Sequence, residues 1–218
     1  MKKRMFGLIM ALCVAGTICF PVLASDAVDM DEEISQSGDT TVKGTVSEGT
    51  PGTPSYIVRI PASVDFGKIK LPEQEQDSFI DISMDVTLVE MTNVPNGSGV
   101  CVLVSDKNTH TTGDASEAPQ TAFQIAQESG ENSLDYSVCL LNADASIKTD
   151  LFNTGTWYPN GYLYGVFDST AQAGDAMPGK LRLNQNQLYG KSIDDVKGSY
   201  SGTLKFYTTI KSIADVIE

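Results

Sequence analysis

Along residues 80–88 apolar and polar side chains alternate without a break: Ile80, Ile82, Met84, Val86 and Leu88 are separated by Asp81, Ser83, Asp85 and Thr87. Successive side chains of a strand point to opposite faces, so this run predicts a strand with one buried face and one wet one. On a helix the same five would scatter around the barrel. Residues 55–60 repeat the pattern with Tyr56, Val58 and Ile60, and Pro61 ends the pairing by removing an amide donor. Residues 64–69 read as a second short strand, with Val64 and Phe66 together and a break at Pro72. Further candidates are 100–105, 121–126, 134–141, 162–167, 180–183 and 200–210, and the stretches between them are rich in Gly, Pro, Asn, Asp and Ser. About nine strands at this spacing, with no helical period longer than a turn or two, predict an all-β fold: an antiparallel, Ig-like or Greek-key β-sandwich. The helical candidates are short, at 185–189 and 192–196.

The first 24 residues do not belong to that pattern. They open with Lys2, Lys3 and Arg4, continue through an apolar stretch to Val22, and place Val22 and Ala24 at the −3 and −1 positions of a cleavage site before Ser25. This reads as a secretory signal peptide; Pro21 and the small cleavage-site residues argue against a retained anchor helix. Residues 25–54 follow as an acidic segment, rich in Asp, Glu, Ser, Thr and Gly, that buries too little apolar surface to offset its ordering entropy. It is expected to be a flexible N-terminal arm, with one short strand at 40–46 through Val42 and Val46 and a Gly-Thr-Pro-rich entry to the domain at 49–54. The β-sandwich domain is then 55–218.

Charge narrows the function classes. The chain carries 28 acids against 15 bases, a formal net charge of −13, and losing the leader makes the product more acidic still. Nothing offsets phosphate repulsion, so a nucleic-acid partner is excluded. Outside the leader no apolar run is long enough to span a bilayer, so no membrane span is expected in the mature form.

The chemistry-bearing residues are few. His110, the single histidine, lies in a polar loop; nothing around any serine resembles a nucleophile elbow, and zinc motifs are missing. Paired carboxylates of a glycosidase are available by count alone, but most of these acids alternate with core positions or sit in turns. No catalytic residue is assigned and the chain is expected not to be an enzyme. No cofactor is assigned either. Calcium is the one ionic candidate, with Asp106, Asn108 and Asp114 as ligands in one loop and Asp168 and Asp175 in another, although no EF-hand spacing is present. Two cysteines survive cleavage, Cys101 and Cys139. Both fall on the side of their strands opposite the core parity, so they either pair across a ladder as a disulfide or remain free thiols. Aromatic residues concentrate in TWYPNGYLYGVF, where Trp157, Tyr158 and Tyr162 are the candidate ligand contacts for stacking on a sugar ring or a partner protein. Core filling is the competing role for the same rings.

Two stretches, IPASVDFGKIKL (60–71) and GSYSGTLKFYTTI (198–210), together resemble the opening and closing strands of WxL-type (WxL-like) domains in surface proteins of low-GC Gram-positive bacteria. That resemblance implies a β-sandwich held noncovalently at the cell wall. The chain departs from the family pattern where Phe206 stands in place of its Trp, followed by Tyr207 and Thr208. Gly202 in the closing stretch predicts a bulge or bend, with Leu204, Phe206, Thr208 and Ile210 facing one way. The combined expectation is a secreted, noncatalytic, wall-associated surface protein acting as an adhesion or structural module, with a cell-wall polymer, a carbohydrate or other surface proteins as partners. The alternative is a carbohydrate-binding module built on the exposed aromatics near Trp157.

Overall fold

A computed structural model describes residues 27–32, 35–38, 52–106 and 122–217, the first two stretches as backbone only. The strands in chain order are β1 (Ala27–Glu32), β2 (Ser35–Gly38), β3 (Ser55–Pro61), β4 (Phe79–Ser83), β5 (Val86–Thr92), β6 (Ser98–Asp106), β7 (Phe123–Gln127) and β8 (Ser133–Leu141). They continue with β9 (Ile147–Asp150), β10 (Trp157–Tyr158), β11 (Gly161–Asp168), β12 (Ala176–Met177), β13 (Gly179–Asn184), β14 (Tyr200–Ser201) and β15 (Leu204–Ser212). Three single-turn helices intervene: α1 (Leu151–Thr154), α2 (Ile193–Val196) and α3 (Ala214–Ile217).

Every strand pairing among the described residues is antiparallel. One sheet runs β14-β7-β8-β13-β4, with β9 also on β8, and a second runs β1-β3-β5-β12. These two are one layer. Ser83 faces Lys180, the Met84 amide donates to the Gly179 carbonyl at 2.9 Å, and Val86 faces Met177, so the register runs unbroken from β4–β13 into β5–β12. The ladder is interrupted at this point because the Gly179 amide donates to Asp85 Oδ1 at 3.2 Å and the Met84 carbonyl accepts from Tyr164 Oη. The alternation at 80–88 is therefore one strand in register, as its pattern predicts. The opposing layer is β10-β11-β6-β15-β2. Between the layers lie Tyr56, Val58, Val86 and Leu88 from one side and Val100, Val102, Val104 and Phe206 from the other. Two tyrosines bridge them: Tyr56 Oη donates to Thr208 Oγ1 at 3.1 Å, and Tyr164 Oη donates to the Met84 carbonyl.

The all-β antiparallel sandwich stands as expected, with more strand segments than nine because short pieces such as β9, β10, β12 and β14 carry too few residues to show a period. The short helical stretches also fall where predicted, a 3-10 turn at Gln185–Leu188 and α2. Two expectations change. Residues 64–69 are not a strand. Within the acidic segment, β1 pairs with β3 and β2 pairs with β15, so that segment is not wholly a flexible arm and the sheets begin before residue 55. Its overall composition hides the local alternation of Val28 and Met30 with Asp29 and Asp31. The leader and the strand expected at 40–46 lie outside the described residues.

On the outer face of β4–β13, Arg182 donates to both Asp81 oxygens at 2.7 Å and Lys180 Nζ lies 2.8 Å from the same carboxylate. The Arg182 hydrogen bond is the main cause that lowers the Asp81 carboxyl to about 2. A depressed acid adds stability that is complete above its unfolded value and is lost as the pH falls through its folded one, here from about 4 to about 2. Because the group is well exposed, screening holds its worth to about 1 kcal/mol or less. Asp81→Asn is expected to lower stability by up to about 1 kcal/mol at neutral pH and to leave it unchanged near pH 2, flattening that part of the acid-unfolding profile, as followed by chemical denaturation across pH.

Candidate functional site

Pro61 ends β3, and the next ten residues run as an extended strap outside any ladder. Val64, Phe66, Ile69 and Leu71 pack against the core, while Ser63, Asp65, Lys68 and Lys70 face solvent. Asp65 Oδ1 accepts from the Gly67 amide at 2.7 Å, and Gly67 at φ +66 makes the turn that only glycine takes without strain. That turn shifts the parity, which is how Phe66 and Ile69 both face inward. Among the described residues, one further bond fixes this backbone, from the Lys70 amide to Gln185 Oε1 at 2.8 Å. Alternation thus correctly reports one-sided burial here, but the ladder it normally accompanies is not made.

Opposite the strap, residues 196–204 form a second wall. Ser192 caps α2 and Val196 is buried, so the helix points its last turn inward. Tyr200 Oη donates to the Val196 carbonyl at 2.9 Å, and Gln127 Nε2 donates to the Lys197 carbonyl at 2.8 Å. The chain then leaves β14 in one layer and enters β15 in the other through Gly202, where a Cβ would lie 2.6 Å from the Gln124 carbonyl oxygen. This is the bend predicted for Gly202; below it Phe206 and Thr208 are buried.

Between the two walls is an open groove of about 810 Å³. Its floor reaches the core at Met84, Leu134, Tyr136, Leu181 and Phe206, and thus touches both layers. Phe66 packs on Tyr136 with ring centroids 5.6 Å apart, and burial pushes the Tyr136 phenol well above its usual range. At the rim Ile193 is 56% exposed. Lys68, Lys70 and Lys197 also line the groove against a single carboxylate, Asp65; Lys197 pairs with exposed Asp194 at 2.7 Å. The local charge is opposite to that of the chain as a whole. The groove was not foreseen from the sequence. A usable signal was present in residues 59–71, which hold Arg59, Lys68 and Lys70 against Asp65 in a chain otherwise dominated by acids.

The residues singled out from the sequence lie elsewhere. Tyr162 is 3% exposed and belongs to the core, and Trp157 packs edge-on against it at 4.9 Å between ring centroids. Tyr158 is half-buried, its hydroxyl donating to the Val216 carbonyl. The three cohere, but as packing around the Pro159–Asn160 turn. Asp106 is fully buried and its Oδ2 accepts from the Gln124 amide at 2.7 Å. Asn108, Asp114 and His110 lie outside the described residues. Asp168 and Asp175 serve their own turns, accepting from the amides of Thr170 and Gln172. Among the described residues no three His, Cys, Asp or Glu side chains converge as a metal site.

The disulfide reading requires correction. Cys101 lies on β6, across from Val166 and Thr209, and Cys139 lies on β8, across from Lys180 and Asp150, in the opposite layer. Their neighbours Val100, Val102 and Val138 fill the core, so the two thiols face outward on opposite sides of the sandwich and a bond between them would have to cross it. Both are free and about 1% exposed, because further structure covers those outer faces; parity alone did not foresee that burial. Burial pushes each thiol up to about 11. In the chain beginning at Ser25 both are expected to resist a disulfide reagent at pH 8 and to react fully, without prior reduction, once guanidinium unfolds the protein. A native sample that needs reductant before its thiols appear contradicts this arrangement.

No protein-family model matches the chain, and no characterised protein matches it in sequence. Among solved structures it is similar to one from work describing a chaperone–tip adhesin complex as vital for synergistic activation of CFA/I fimbriae biogenesis. The two are 16% identical with a TM-score of 0.35, over 83% of this chain and 43% of that one. The chain therefore spans less than half the length of that neighbour.

Proposed function

We propose that this chain is an exported, noncatalytic cell-surface protein that works in adhesion or surface assembly by holding another protein. The observation that supports the reading best is the groove beside the strap: an apolar channel open to solvent, reaching the core, and rimmed by cations on an acidic chain. Its ionisable lining consists of lysines, one aspartate and two tyrosines, a set suited to holding a partner and poorly suited to moving protons. The stretches that resemble WxL-type strands are the strap and β14–β15, the two walls of this groove, so wall association would act through the same place. The leader-like residues 1–24 supply the route outward.

The test is retention of the purified chain, begun at Ser25, on washed cells of the producing strain. The chain is expected to stay bound, to be released by the rim variant Ile193→Asp, and to lose its hold when the cells are first shaved with protease. Binding that survives shaving but is abolished by Trp157→Ala would replace this reading with the carbohydrate-binding one.

A further inference from the structure

Resting on that reading, we infer that the occupant of the groove is an extended strand of another polypeptide, with apolar side chains at every second position and acidic ones between them, laid alongside the strap. Three observations converge on this chemistry. The strap is itself extended and one-sided, and from residue 62 to 69 its backbone joins no ladder among the described residues. Apart from the Gly67 amide, which Asp65 holds, those amides and carbonyls would pair with a strand added beside it, which is how exposed edges recruit peptides. The floor below is apolar and only partly covered: Val64, Phe66, Ile69, Ile125 and Leu204 are half-buried against the core, so inward side chains of an added strand would close over them.

Charge supplies the sign. Lys68 and Lys70 are exposed and have no ion-pair partner among the described residues, and Lys197 holds an exposed aspartate that a screened pair releases easily. On a chain of net charge −13 an acidic partner is repelled almost everywhere else, so this rim selects where such a strand docks. An anionic amphiphile such as a long-chain fatty acid would suit the floor and the lysines but would leave the strap's backbone to water. The unpaired backbone is what favours a peptide.

The probe is a fluorescein-labelled peptide of alternating valine and glutamate, titrated into the full chain and followed by anisotropy and by amide exchange. The expected result is saturable binding that slows exchange at residues 62–70. Affinity should fall about tenfold in Lys68→Glu/Lys70→Glu, whose exposed sites leave folding intact by circular dichroism. A peptide of the same composition with valines and glutamates in separate blocks should bind far more weakly. Equal binding of the two peptides, no binding, or displacement by a fatty acid without protection of the strap would overturn the inference. Cell retention separates the two claims: retention that still depends on Ile193 while the peptide fails to bind rejects the strand and keeps the protein-holding surface, whereas retention indifferent to Ile193 rejects that surface as well.

Discussion

Replacing Gly161 with alanine is expected to cost more than about 3 kcal/mol, lowering the melting temperature by about 10 °C or preventing folding. Gly161 follows the Pro159–Asn160 turn and returns the chain into β11 at φ +153, a backbone region held almost entirely by glycine. A Cβ there would meet the Val104 carbonyl oxygen at 2.7 Å, its carbon at 2.8 Å and its nitrogen at 2.9 Å. These are backbone atoms of β6, which is paired on both sides, so the neighbour cannot give way as a flexible side chain would. Gly174→Ala is the matched control. Its φ of +97 is also left-handed, but nothing lies within 4 Å of the added carbon, and its cost should be limited to about 1–2 kcal/mol of backbone strain. Equal melting temperatures for the two variants would show that close approach to β6 is not what Gly161 provides.

Phe206→Ala is expected to destabilise the chain by about 3–5 kcal/mol in denaturant unfolding, with the slope unchanged. Phe206 is 2% exposed, meets Tyr164 edge to face at 6.2 Å between centroids, and stands on the floor where the two layers converge below the groove. Truncation removes a large apolar side chain and leaves a void in rigid surroundings. Tyr164 would lose its aromatic contact while keeping its hydrogen bond to Met84, so Phe206→Leu should recover most of the loss. A cost below about 1 kcal/mol for the alanine variant would mean that the surroundings collapse into the space left by the ring and that the core is not rigidly packed around it.

How much of this was legible depended on whether a residue's role was set by its own alternation or by what lay across from it. The run 80–88 declared a strand and its inward face, and Gly202 declared a bend, which the structure explains by the Gln124 carbonyl lying where a Cβ would stand. Residues 64–69 had the same period with no ladder, since a side chain that packs on a core alternates whether or not its amide finds a partner. Cys101 and Cys139 were read correctly as facing away from the core and wrongly as pairable, because parity fixes a face and says nothing about the layer. Trp157, Tyr158 and Tyr162 drew attention by their density, yet the hydroxyl and ring contacts that occupy them include Val216, Phe123 and one another. The groove was hidden because its walls are far apart in the chain and only the crossing from β14 to β15 brings the second one into place.

The position of β6 is expected to set the tempo of folding. Both its neighbours, β11 and β15, are made much later in the chain, so the strand that ends up most deeply enclosed is also the one left longest without company. Its nine residues include Val100, Val102, Leu103 and Val104, a segment prone to self-association while bare. Such high contact order implies slow, all-or-none closure, with an interval in which a holdase would be of most use. Removing β15 would make that interval permanent.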